Sequence, residues 1–200
     1  MAEIRDENRF ALYEGERQIT DFIWENYYSL NDYIILSNAN ETWIYHRDTK
    51  SFTLKIKGTI YSYEEDEDWL MVEESGKYGV YSFDGNVILP VEFSKIDVNK
   101  SYFVVKDIYN LCGVFSITGE NIVPISFERI GILKLCENKD TIDAVSVTKE
   151  GKRGWYIIKR KTFIAADNVN FTKTGIVEVC KDDKWYILDD SNCFTTLNKI

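Results

Sequence analysis

Two hundred residues suit one domain or two small ones, and 44% hydrophobic content with 14% aromatics is enough for a packed core, which excludes a disordered chain. The 33 acidic residues outnumber the 24 basic ones and set a formal charge of -9. Such a field repels phosphate backbones and anionic membrane surfaces, so neither nucleic acid nor a membrane is expected as a partner.

The 13 Tyr, 11 Phe and 5 Trp, with many Ile, Val and Thr and little Ala, favour strands over helices. Residues 1–8 lack a basic segment followed by an apolar one, and no stretch approaches the roughly 18 apolar residues of a membrane span. A cytoplasmic protein is expected. Cys112, Cys136, Cys180 and Cys193 are too scattered for a disulfide framework, which implies reduced thiols.

Along the chain, RFALYEGERQITDF (9–22) predicts a hairpin with Gly15 at its turn, and residues 33–36 a strand. TWIYHRDTKSFTLKI (42–56) predicts a second hairpin, followed by a strand at 69–72. The segment KYGVYSFDGNVILPVEFSKI (77–96) predicts a strand at 79–83, a tight turn at Asp84-Gly85 and a strand at 87–89. A strand at 102–105 precedes LCGVFSITGENIVPISFERI (111–130), which follows the same plan. Strands at 144–147 and 175–179 then alternate with KRGWYIIKRKTFIAAD (152–167) and KDDKWYILDD (181–190).

The two central segments match position for position. From Gly79 and Gly113, both place glycine six residues on (Gly85, Gly119), proline at eleven (Pro90, Pro124), phenylalanine at fourteen (Phe93, Phe127) and isoleucine at seventeen (Ile96, Ile130). Extending the register by its large side chains gives Phe10, Trp43, Val80, Val114, Trp155 and Trp185, spaced by 33, 37, 34, 41 and 30 residues. One repeat domain over residues 1–200 follows, with frames 9–41, 42–78, 79–112, 113–153 and 154–183 and a partial frame 184–200. The anchor glycine marks a close approach, and the residue after it plugs the space between repeats. Each proline ends its strand or lies on an edge. Three strands per unit are expected, so units must stack to bury their apolar faces. The fold class is therefore all-β, with three-stranded hairpin repeats in an open or curved array; the alternative is a five-bladed, propeller-like ring.

With their Gly-Val/Trp anchor, turn glycine, Ile-Val-Pro step and Phe-x-x-Ile end, residues 77–130 resemble the bacterial WG-repeat family. That resemblance implies tandem β-hairpin units, a role in protein contacts and no catalytic residues.

Nucleophilic triads and most proton shuttles use histidine, and the chain has only His46, read as a solvent-facing hairpin residue. Cysteine separations of 24, 44 and 13 offer no zinc ligand pair, and no glycine-rich phosphate loop is present. Neither an enzyme nor a cofactor or metal is expected. The distinctive local feature is the run Glu64, Glu65, Asp66, Glu67, Asp68, flanked by Tyr61, Tyr63 and Trp69. One reading is a solvated loop. The other is a docking site where the acids steer a basic partner protein, as an immunity or inhibitor protein covers a cationic toxin, with the three aromatics as anchors. Self-association through uncapped terminal repeats and carbohydrate binding are the alternative functions.

Overall fold

The computed structural model describes residues 2–6, 9–99, 102–135, 142–172, 176–189 and 191–196. All regular structure in them is β, and no helix is long and apolar enough to cross a membrane. The chain divides into two compact units, residues 1–96 with 117–119, and residues 97–116 with 120–200.

The first unit holds three antiparallel meander sheets. A three-stranded one contains β1 (Ala2–Asp6), β2 (Arg9–Glu14) and β3 (Arg17–Gln18). The next contains β4 (Asn26–Ser29), β5 (Tyr33–Ser37), β6 (Glu41–His46) and β7 (Ser51–Lys57). The third contains β8 (Thr59–Glu64), β9 (Trp69–Glu74), β10 (Lys77–Tyr81) and β11 (Val87–Phe93). Leu12 and Trp24 pack on Ile34, Leu36 and Tyr45 of the second sheet. Its opposite face sets Ile35, Ile44 and Leu54 against Leu70, Val72 and Phe83 of the third.

The fourth sheet contains β12 (Lys95–Asn99), β13 (Tyr102–Lys106), β14 (Cys112–Ser116) and β15 (Asn121–Phe127), whose strand residues from Asp97 onward belong to the second unit. It is followed by β16 (Arg129–Leu135), β17 (Ile142–Lys149), β18 (Lys152–Ile157) and β19 (Thr162–Ile164), then by β20 (Asn168–Phe171), β21 (Val177–Lys181), β22 (Lys184–Leu188) and β23 (Phe194–Thr196). Val145 and Val147 of β17 pack on Val114, Val123 and Phe127. Ala144 faces the other way, onto Val169, Val177, Val179 and Leu188. A strand covered on both faces reads as an unbroken apolar run rather than an alternating one, which is why the strands at 33–36 and 69–72 are so legible, while Ser146 interrupts the run at 144–147. Each fully buried Leu, Ile or Val contributes roughly 1.5–3 kcal/mol through removal from water.

The four-strand sheets correct the expected three strands. The additional strands are β4, β8, β12, β16 and β20, which open each sheet at its edge. They are hard to see because they bury little: β12 shows one buried residue in five, Ile96. The Phe-x-x-Ile end is therefore the last residue of one sheet and the second residue of the next. Successive sheets are joined with little slack, by Gly58 alone between β7 and β8 and by Glu128 alone between β15 and β16.

Hairpin registers also correct the repeat alignment at its flanks. Counting from the pairs Glu74↔Lys77 and Lys149↔Lys152, the anchors Gly79 and Gly154 are third on their strands, and Val80 and Trp155 fourth. The same count makes Leu12, Ile44 and Ile187 the equivalents of Val80, not Phe10, Trp43 and Trp185. The spacings become 32, 36, 34, 41 and 32. Aligning on the largest side chains misplaces Phe10 and Trp43, because the plug position there selects burial rather than size: Leu12, Ile44, Val80 and Val114 are all 0% exposed, whereas Ile187 is half-buried like Trp185.

The anchor glycine does mark a close approach. A Cβ on Gly79 would stand 2.7 Å from Val91 Cγ2 and 2.8 Å from its Cα, where β11 shifts register against β10. Pro90 lies within β11, and β11 is the edge strand of its sheet, so the edge placement holds and the strand-ending one does not. At the following turn Gly85 has φ +90°, and its N–H donates to the Ser82 carbonyl at 3.0 Å. Asn86 N closes the turn on Ser82 Oγ at 3.1 Å.

Candidate functional site

The acidic run forms the turn between β8 and β9, on the edge of its sheet. Its members fall into two groups. Glu65, Glu67 and Asp68 hold the local structure. Glu65 Oε1 accepts a hydrogen bond from Asn31 N at 2.8 Å, Glu67 Oε2 accepts one from the Trp69 indole at 3.1 Å, and Asp68 Oδ1 accepts one from Phe83 N at 3.1 Å. Asp68 takes a positive φ of 53°, a conformation aspartate tolerates better than most residues. Glu64, at the end of β8, and Asp66, between Glu65 and Glu67, are exposed.

The aromatics divide as well. Trp69 is 5% exposed and supports the turn from beneath, so it offers no surface to a partner. Tyr61 is 64% exposed, for a structural reason. The pairs Ile60↔Val72 and Ser62↔Met71 leave Tyr61 as the extra residue of a β-bulge, a device that re-aims one side chain out of the pleat. Its ring meets Tyr78 edge-on at 5.1 Å, and Tyr63 meets Tyr28 at 5.7 Å. Tyr28 and Tyr78 extend the aromatic surface beyond the predicted residues. Sequence offers no signal for Tyr28, which lies on the neighbouring sheet and 35 residues before Tyr63.

Tyr33 secures the same corner. Burial, followed by its hydrogen bond to Asp84 and the nearby charges of Asp84, Asp68 and Asp32, pushes its hydroxyl up to about 12. His46 departs from the expected solvent-facing position. It is half-buried, its ring stands edge-on to Tyr33 at 4.9 Å, and its Nδ1 accepts from Asp48 N and Thr49 N at 3.2 and 3.3 Å. That geometry caps a turn.

Among the described residues no group of His, Cys, Asp and Glu is arranged to hold a metal ion. Cys136 lies outside them. Cys112, Cys180 and Cys193 are free thiols, and burial pushes the Cys112 thiol up. Seven carboxylates and one lysine lie between Thr59 and Tyr78, so the β8–β10 segment presents dense negative charge beside exposed phenol rings.

No family model matches the sequence, and no curated protein matches it. Solved structures similar to this chain include Kluyveromyces lactis Hsv2p, at 11% identity and a TM-score of 0.38 over 94% of this chain and 70% of that one. The WD40 β-propeller domain of Doa1 is 12% identical with a TM-score of 0.30, covering 90% of this chain and 70% of its own. The computationally designed Ika8 protein is 12% identical with a TM-score of 0.32, covering 84% and 59%. At these values no functional property transfers from them.

Proposed function

We propose that this chain is a non-catalytic, protein-binding repeat module that docks a basic partner protein through the β8–β9 turn. One observation carries the reading: an acidic turn anchored on both sides, by Asn31 N and Phe83 N, displays Glu64 and Asp66 beside the bulge-borne Tyr61. Anchoring lowers the ordering cost on binding, surface charge accelerates encounter, and exposed tyrosines supply contact area at low entropic cost. The WG-repeat resemblance at residues 77–130 supports a role in protein contacts. A cytoplasmic setting accords with the free thiols.

The test is capture of partners by the tagged chain from a lysate of its source organism, at low and moderate salt, with Glu64→Lys/Asp66→Lys alongside. Only carboxylates outside the turn's hydrogen bonds are reversed, so the hairpin is preserved. The expected result is a stoichiometric basic partner that is weakened by salt and lost from the variant. Equal capture by both proteins overturns the reading.

A further inference from the structure

The second unit holds a cleft of about 730 Å³ between the β16–β19 sheet and the end of β21, and its charge is opposite to that of the protein as a whole. Arg129, Thr148 and Arg153 are cross-strand partners in register on β16, β17 and β18, so their side chains share one face. Ser146 and Trp155, one pair further along, are on that face too. Trp155 is 8% exposed and belongs to the core facing β20–β23. Lys152 and Lys181 complete the cationic lining, against Asp167 and Asp182. The Asp167 carboxylate is already engaged, accepting from Asp182 N at 2.9 Å. Among the described residues none of Arg129, Lys152, Arg153 and Lys181 forms an ion pair.

The internal repeat supplies a control. A smaller cleft of about 470 Å³ occupies the equivalent place between the second and third sheets, where Glu41 opens its strand as Lys152 does and Glu74 ends its strand as Lys181 does. Its charged lining is Glu41, Glu73 and Glu74 with Lys57. Sheet stacking is the same in both places, so packing requires neither sign. Four cations face two carboxylates and pair with neither, which leaves a net positive charge whose self-repulsion a bound anion offsets.

We propose that this cleft binds a small molecule carrying two or more oxyanion groups, phosphate or carboxylate. Cations on both walls suit separated charges better than a single ion. Arginine pairs bidentately with either oxyanion, and the volume is that of a small-ligand site with Trp155 as its apolar floor. These residues are distinct from those of the acidic turn, so the two proposals stand or fall separately.

The experiment is titration calorimetry of the full chain at low salt with tripolyphosphate, with citrate and with a hexaglutamate peptide. Arg129→Gln/Arg153→Gln, Lys181→Gln and Glu64→Gln/Asp66→Gln are run in parallel, each first shown to melt like the parent. Binding of tripolyphosphate or citrate, at least tenfold weaker in both cleft variants and unchanged in the Glu64/Asp66 variant, is the expected result. Preference between the two probes identifies the oxyanion. Three outcomes overturn the proposal: neither small probe binds, both bind all variants equally, or hexaglutamate alone binds.

Discussion

The Tyr33 hydroxyl donates a 2.9 Å hydrogen bond to Asp84 Oδ1, joining β5 to the turn after β10 across 51 residues of chain. Phe83 stacks on the same ring at 5.2 Å and donates its backbone N–H to Asp68. The acidic turn is thereby coupled to the packing of the second and third sheets.

This coupling predicts an alkaline transition. The folded-state value of about 12 for Tyr33 exceeds the ordinary value of 10, so folding favours the neutral phenol. Its contribution is complete below pH 10 and is lost as pH rises towards 12. Burial also raises Tyr45, Tyr81 and Tyr156, so the informative quantity is a difference. Tyr33→Phe is expected to cost about 1 kcal/mol at pH 7 through the lost hydrogen bond. Its stability should fall less than the parent's above pH 10, measured by urea denaturation across pH 7–11.5.

Two glycine substitutions should separate crowding from backbone conformation. Gly79→Ala forces a Cβ onto the Val91 backbone and is expected to cost about 1–3 kcal/mol or more. Gly15→Ala, at φ +61° with nothing within 4 Å, pays only the conformational term, about 1 kcal/mol. Chemical denaturation of both variants checks the order, and a smaller loss at Gly79 would mean that β11 yields.

Trp69 and Tyr61 should behave oppositely. Trp69→Ala is expected to lose about 3–5 kcal/mol of stability, as buried aromatics do. Tyr61→Ala should stay within about 0.5 kcal/mol of the parent, as exposed positions do, while weakening partner capture. Melting curves paired with the capture assay separate the two roles.

The thiols report on packing. Cys193 is exposed and should react with a disulfide reagent at pH 8 within the native state. Cys112 is 7% exposed, and burial disfavours its thiolate, so it should be labelled only when the chain unfolds. Peptide mapping after native and denaturing labelling distinguishes them.

Strands covered on both faces, such as β9 with Trp69, Leu70, Met71 and Val72 all buried, are legible because their apolar run is continuous. The first strand of each sheet is not, since an edge strand such as β12 needs one apolar residue and leaves the rest to solvent. The close approach at Gly79 is legible because glycine in a strand has few other reasons. At the site, charge is readable at Glu64 and Asp66, but the diversion of Trp69 into the core and of Tyr61 outwards depends on a bulge that only pairing reveals. The cationic cleft escapes sequence inspection because Arg129, Arg153 and Lys181 are far apart along the chain and meet only through register and stacking.

Single-residue seams at Gly58 and Glu128 govern how such a chain can change in length. At Gly58 a side chain would run into the Glu73 carbonyl, and an added residue at Glu128 would draw its carboxylate away from Gly151 N, from which it accepts at 3.1 Å. Insertions and deletions therefore belong at hairpin tips, where a longer turn disturbs no neighbouring sheet. The β9–β10 turn at Ser75 and Gly76, where a Cβ on Gly76 would meet nothing within 4 Å, is such a place for a grafted epitope or reporter peptide.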